Sequence, residues 1–321
     1  MKRTSLVTAA AVAAGLLSAG TASASDWTMT YLPLPPGGSG IAQVAATNGA
    51  GSYAGTADGK LVTWTGGTVA DHGIPAGYTR VEAADENASG SVLGSAVYYS
   101  EGSHYPGKHA FVFENGGFQF LGKVPGYYNS QAHGTNDRGD VVGTVFNDIR
   151  YGSTAAFWPS GDREHPVKLD VPPLLTPVDI DQDGTILLNE QYSGTYLWKD
   201  GVLRRLVLPE GVRESRGIAI RDGKVLASTP LGDRLWTAFD TSQEVPDNMY
   251  TTALNGSGLV TGWVAEPGRP KIPAVWSPGG PVTRLPSPVD AYGIAVGDNG
   301  EIAGALQDSG SGTAPVVWRR G

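Results

Sequence analysis

The chain has no cysteine in 321 residues, only three methionines and only five histidines. The missing cysteines exclude disulfides, thiolate nucleophiles and Cys-ligated zinc together. The histidines are His72, His104, His109, His133 and His165. They form no HExxH and no pair at i, i+4 spacing, so a helical two-histidine zinc site is excluded. No GxSxG, GxxxxGK[ST] or helix-opening GxGxxG is present, which removes the nucleophile elbow, the phosphate loop and the dinucleotide fingerprint. Past the first residues, no apolar run reaches the ~18 residues of a membrane-spanning helix. Basic residues are scarce, 23 against 31 acidic, for a net charge of −8. That balance argues against nucleic acid and anionic membranes as partners.

What is present begins with an export signal. Lys2 and Arg3 precede an apolar stretch from Leu6 to Leu17, and Ala22, Ser23 and Ala24 supply a small-residue cleavage site. Residues 1–24 are therefore expected to be removed, leaving a secreted, extracellular chain from residue 25 to 321 as one domain. No cysteine follows the apolar stretch and no twin arginine precedes it, so the general secretory route is expected. Without disulfides, such a chain depends on a large core.

Forty-six glycines and twenty-two prolines are spaced regularly among Trp, Val, Leu and Ile, which points to many turns in an all-β fold. One turn glycine recurs at Gly51, Gly90, Gly139, Gly184, Gly223, Gly258 and Gly300, at steps of 35 to 49 residues. A strand-ending aromatic alternates with it: Trp64, Phe113, Trp158, Trp198, Phe239, Trp276 and Trp318. About 40 residues hold four short strands and their turns. Seven such units predict a seven-bladed β-propeller. A two-sheet sandwich needs no sevenfold repeat and ranks behind it. The chain ends at a third strand, "TAPVVWRRG", and the segment after the export signal, "TMTYLPLPPG", reads as an orphan fourth strand. The N-terminal strand is therefore expected to complete the last blade and close the ring.

"HAFVFENG" (His109 to Gly116) and "NDRGDVVG" (Asn136 to Gly143) resemble the HAF-repeat family of bacterial extracellular proteins. The resemblance extends in degenerate form over nearly all of the chain after the export signal. It implies a propeller-like repeat and secretion, and brings no established reaction. "TNDRGDVV" also resembles part of the sialidase Asp-box, with Val142 where an aromatic belongs.

In a propeller the first strand of each blade lines the axis. Here those strands are rich in Ala and Gly, and their larger polar residues are Gln43, Glu82, Gln131, His133, Arg216, Tyr250, Asp290 and Tyr292. Two readings stand: a water-filled channel of satisfied polar groups, or a ligand site on the axis. A second candidate is local. Tyr98, Tyr99, Tyr105, Tyr127, Tyr128 and Tyr151 fall in loops expected on one face, where exposed tyrosines suit sugar rings or a protein partner. The main functional reading is a non-enzymatic binding module for an extracellular glycan or protein, monomeric and without cofactor. The alternative is a glycan-acting hydrolase or lyase using axial residues such as Glu82, His133, Arg216 and Asp290, gathered into one pocket with perturbed pKa values.

"DIDQDGTILLNE" (Asp179 to Glu190) matches the EF-hand calcium loop at its ligand positions. The three prolines of the preceding "VPPLLTP" preclude the required helix. Gly184 is in register with the other turn glycines, and Asp181 with Asn48, Asn87, Asn136 and Asn255, which cap their turns. The hairpin thus accounts for Asp181 and Gly184. Asp179 and Asp183 are left over, and calcium at Asp179, Asp181 and Asp183 is the one metal the sequence suggests.

Overall fold

The computed structural model describes residues 26–38, 40–100, 105–147, 152–190, 194–246, 249–308 and 312–321. The export segment and Tyr151 lie outside them. Seven four-stranded antiparallel sheets stand in a ring. Blade 1 is β2 (Ala42–Thr47), β3 (Ser52–Ala57), β4 (Lys60–Thr65) and β5 (Thr68–Gly73). Blade 2 is β6 (Arg80–Glu86), β7 (Val92–Tyr98), β8 (Gly107–Glu114) and β9 (Gly117–Phe120). Blade 3 is β10 (Asn129–Thr135), β11 (Val141–Phe146), β12 (Thr154–Trp158) and β13 (Val167–Lys168). Blade 4 is β14 (Leu175–Ile180), β15 (Ile186–Glu190), β16 (Thr195–Lys199) and β17 (Val202–Arg205). Blade 5 is β18 (Arg216–Arg221), β19 (Lys224–Ser228), β20 (Arg234–Ala238) and β21 (Thr241–Glu244). Blade 6 is β22 (Met249–Leu254), β23 (Val260–Val264), β24 (Ile272–Trp276) and β25 (Thr283–Arg284). Blade 7 is β26 (Asp290–Val296), β27 (Ile302–Asp308), β28 (Gly312–Arg320) and, from the other end of the chain, β1 (Trp27–Tyr31).

The predicted ring closure is therefore present: Trp27 pairs with Arg320 and Tyr31 with Val316. The seam between blades 7 and 1 is polar as well. Glu301 accepts hydrogen bonds from the Tyr53 hydroxyl and from Arg319 Nε at 2.6 Å.

The second strands are buried almost continuously on both faces, so each blade packs both faces against its neighbours. The repeated aromatic anchors this packing. Trp64, Trp158, Trp236 and Trp318 are fully buried. Each donates its indole N–H to a carbonyl just beyond the outer strand of the preceding blade: Pro33, Gly122, Val207 and Pro286, at 2.7 to 2.9 Å. Truncating one of these tryptophans costs about 3–5 kcal/mol. Blade 5 corrects the sequence reading. Its anchor is Trp236, which pairs with Val225, whereas Phe239 sits beyond the strand, 38% exposed.

The hairpins between first and second strands share one face. All seven repeated turn glycines have φ between 72° and 91°, the left-handed region that glycine enters without a Cβ clash. Turn side chains link neighbouring hairpins. Ala88 N–H donates to Asp137, Asp137 N–H to Gln182, and Gly256 N–H to Asp298.

Candidate functional site

Every first strand carries a β-bulge at the same place. The bulged residues are Ala45, Ala84, His133, Val178, Ile218, Thr252 and Ile294. A bulge sets two residues against one partner and bends the strand. Each bulged residue faces the axis. The residue after it is Ala46, Asp85, Gly134, Asp179, Ala219, Ala253 or Ala295, small in five blades. Asp85 and Asp179 are the two departures. The bulge also dictates a glycine across the hairpin. A Cβ at Gly55, Gly143, Gly262 or Gly304 would stand about 2 Å from the carbonyl oxygen two residues before the bulge. Those glycines were not singled out from the sequence. A glycine inside a strand, just past each hairpin, was the available signal.

At the hairpin end the axis opens into a cavity of about 210 Å³ lined by all seven blades. Its floor is a charged cluster. Arg221, on blade 5, donates through Nη1 to Asp179 Oδ2 at 2.6 Å, and its Nη2 lies 3.6 Å from Asp85 Oδ2 on blade 2. Asp179 also accepts the Ile180 and Ile220 backbone N–H groups, and Asp85 those of Glu86 and Thr135. Burial pushes the Asp85 carboxyl up to about 6; Arg221 opposes this and the Asp179 charge adds to it. Burial likewise raises Glu86 to about 7, against the Ser52 hydroxyl bonded to its Oε1. Glu86 Oε2 is buried with no hydrogen-bond partner. His133 is driven down to about 4 by burial and by the charge of Lys108, so it is neutral at pH 7.

Of the predicted axial residues only His133 lines this cavity. Residues two positions apart on one face of a first strand stand at different heights along the axis. Glu82, Gln131, Arg216, Tyr250, Tyr292 and Gln43 all stand two residues before their bulges, in a separate layer toward the opposite end. The expected pocket of Glu82, His133, Arg216 and Asp290 does not form. Glu82 is paired with Arg80 at 3.0 Å and Lys108 at 2.6 Å, which hold its carboxyl below the usual range against its burial. Asp290 is four residues before its bulge and accepts Lys271 N–H at 2.7 Å.

The layer of Arg216 and Tyr250 has its own character. Tyr250 is 54% exposed and lies nearly parallel to Trp263, centroids 5.7 Å apart and 12° between planes. Tyr292 meets Trp263 edge-on at 5.2 Å, and Lys271 Nζ bonds the Tyr292 hydroxyl at 3.1 Å. Arg216 is exposed and makes no ion pair among the described residues. Trp263 and Lys271 were missed because they lie on or beside the second and third strands.

An aromatic cluster forms on blade 2 around one of the loop tyrosines. Tyr98 packs against His109, with Tyr78 and Phe120 completing the cluster. His109 bonds the Tyr78 hydroxyl at 2.6 Å and the Tyr128 carbonyl at 3.0 Å. Tyr99, Tyr105 and Tyr128 are exposed. Tyr127 corrects the expectation of a surface role: it packs on the core of blade 3 and its hydroxyl bonds Thr154 at 3.0 Å.

The three calcium-loop acids diverge. Asp179 turns to Arg221. Asp181 accepts Asp222 and Gly223 N–H, each at 2.7 Å, from the next hairpin. Within its own turn it accepts the Gln182 N–H at 2.8 Å, whereas Asn136 accepts the N–H four residues on, from Asp140. Asp183 accepts Thr185 N–H and pairs with Lys199, so its carboxyl falls to about 2 despite partial burial. No group of three or more His, Asp or Glu among the described residues is arranged to hold a metal ion.

No protein-family model matches the chain, and no curated protein does. Solved structures do. Oligogalacturonate lyase from Vibrio parahaemolyticus is similar with a TM-score of 0.61 and 11% identity, over 90% of this chain and 93% of that one. The WD40 β-propeller domain of Doa1 gives 0.56 at 12% identity, over 92% and 97%. A prolyl endopeptidase gives 0.58 at 12% identity over 84% of this chain, which spans only 47% of that enzyme's length. At such identities the likeness shows the fold alone: this chain is a β-propeller.

Proposed function

We propose that this is a secreted propeller of the HAF-repeat type that recognises an extracellular glycan at the axial end opposite the hairpins. The observation that carries the reading is the exposed Tyr250 face, braced by Trp263, in the same layer as the unpaired Arg216 of the adjacent blade. A flat aromatic face stacks on the C–H surface of a sugar ring, and a free guanidinium holds a carboxylate through two parallel hydrogen bonds. Arg216 and Lys271 favour sugars that carry acids.

Cleavage of that glycan by a hydrolase or lyase is the second reading. The propeller scaffold is compatible with it, since oligogalacturonate lyase shares the fold. That reading seats the sugar at the hairpin end instead, where Asp85, its carboxyl raised to about 6, is suited to proton transfer. Purified protein on an array of neutral and uronate-bearing oligosaccharides tests both readings. Binding to uronate-bearing members is expected. Mass spectrometry of the bound sugars then separates intact ligand from hydrolysed product and from eliminated product, which lacks the added water. Silence across the array overturns the glycan reading.

A further inference from the structure

Two cations stand at the axial end opposite the hairpins without an acidic partner. Acidic residues outnumber basic ones, 31 against 23, yet neither Arg216 nor Lys271 makes an ion pair among the described residues. The acid of the same layer, Glu82, lies across the axis on blade 2 and is held by Arg80 and Lys108. Lys271 is the more fixed of the two cations. Its backbone is pinned to blade 7: its N–H donates to Asp290 Oδ1 at 2.7 Å, and its carbonyl accepts the Ala291 N–H at 3.0 Å. Its side chain lies over the Tyr292 ring, with Nζ 5.0 Å from the centroid and 3.1 Å from the hydroxyl. Tyr292 in turn donates to Gln307 Oε1 at 2.7 Å. The half-buried ammonium thus spends one of its three N–H donors on a neutral hydroxyl. A partly desolvated charge already held in place binds an anion more strongly than a mobile one in water.

A row of aromatic rings separates the cations. Arg216 belongs to blade 5, Tyr250 and Trp263 to blade 6, and Tyr292, beneath Lys271, to blade 7. Trp263 stands between the two tyrosines, at centroid distances of 5.7 Å and 5.2 Å. A single sugar stacked on Tyr250 therefore does not bring one carboxylate to both cations. We propose that this end of the axis selects a linear glycan with a run of uronates, lying across blades 5 to 7, with one carboxylate on Arg216 and a further one on Lys271. This rests on the glycan reading above, and it makes Lys271 the residue that distinguishes a run of acids from a single acid. The aromatic row takes the C–H faces of the sugars, and two charge-assisted contacts on one chain reinforce each other.

Calorimetry on the intact protein tests it, with trimers of galacturonate, mannuronate and guluronate set against aldotriouronate, whose three sugars carry a single acid. The best-bound uronate trimer is expected to bind at least about tenfold tighter than aldotriouronate, beyond the statistical gain of having more acids. That ratio falls to near one in Lys271→Met, which keeps an unbranched side chain over Tyr292, and is retained in Lys271→Arg, which keeps the charge. Melting temperatures verify the fold of both variants. A ratio near one in the parent overturns the proposal and leaves the glycan reading standing. So does an unchanged ratio in Lys271→Met, or its loss in Lys271→Arg as well, which assigns the effect to packing on Tyr292. Binding of none of these sugars overturns the glycan reading and the proposal together.

Discussion

Arg221 and Asp85 stand three blades apart in a ring of seven, yet their side chains approach to 3.6 Å across the axis. With the 2.6 Å bond from Arg221 to Asp179, one guanidinium joins blades 2, 4 and 5. Removing one partner of a buried cluster leaves charge uncompensated, which costs about 3–5 kcal/mol. Arg221→Met is expected to lose stability of that order at pH 8 and less at pH 5, where Asp85 takes up a proton. Denaturant unfolding at the two pH values measures the difference.

Glu86 gives a pH dependence of definite sign. Its folded carboxyl is raised from 4.5 to about 7, so the folded state binds the proton more tightly than the unfolded state. The resulting stability is complete below pH ~4 and is lost as pH rises through ~7. Glu86→Gln removes this dependence. The variant is expected to be more stable than the parent at pH 8, by about 1–3 kcal/mol, with the advantage gone near pH 4. Melting temperatures of both proteins between pH 4 and pH 8 check it.

The glycines facing the bulges are predicted to be intolerant. A methyl at Gly143 would lie 2.1 Å from the Gln131 carbonyl oxygen, and one at Gly262 1.9 Å from that of Tyr250. Gly143→Ala or Gly262→Ala should cost about 1–3 kcal/mol through backbone displacement. Alanine at the exposed Gly161, where nothing lies within 4 Å, should be near neutral in the same unfolding assay.

Calcium is predicted to leave the melting temperature unchanged at millimolar concentration. Each carboxylate of Asp179, Asp181 and Asp183 already has protein partners in a different direction. A calcium-dependent rise lost in Asp183→Asn would contradict this assignment.

The ring and its closure were legible because turn glycines and strand aromatics repeat, and repetition survives without knowledge of register. Phe239 was misassigned because "WTAF" offers two aromatics at one strand end, and only pairing with Val225 selects Trp236. The axial layers were merged because the polar residues of each first strand were taken together, without their height along the strand, which only the aligned bulges fix. Asp85 and Arg221 were passed over because their partnership is a long-range contact. Aligning the hairpins shows both: Arg221 stands where Asn48, Asn87, Asn136 and Asn255 stand in their blades, and Asp85 where five of the other blades carry Ala or Gly.

The central claim is glycan recognition by the layer of Tyr250 and Arg216. Calorimetric titration of the parent, Tyr250→Ala and Arg216→Ala with an acidic oligosaccharide tests it most directly. The account predicts saturable binding by the parent, a loss of about 1–3 kcal/mol for Tyr250→Ala, and a selective loss for uronate-bearing ligands in Arg216→Ala. Equal affinity in all three proteins, with the melting temperatures unchanged, would contradict it.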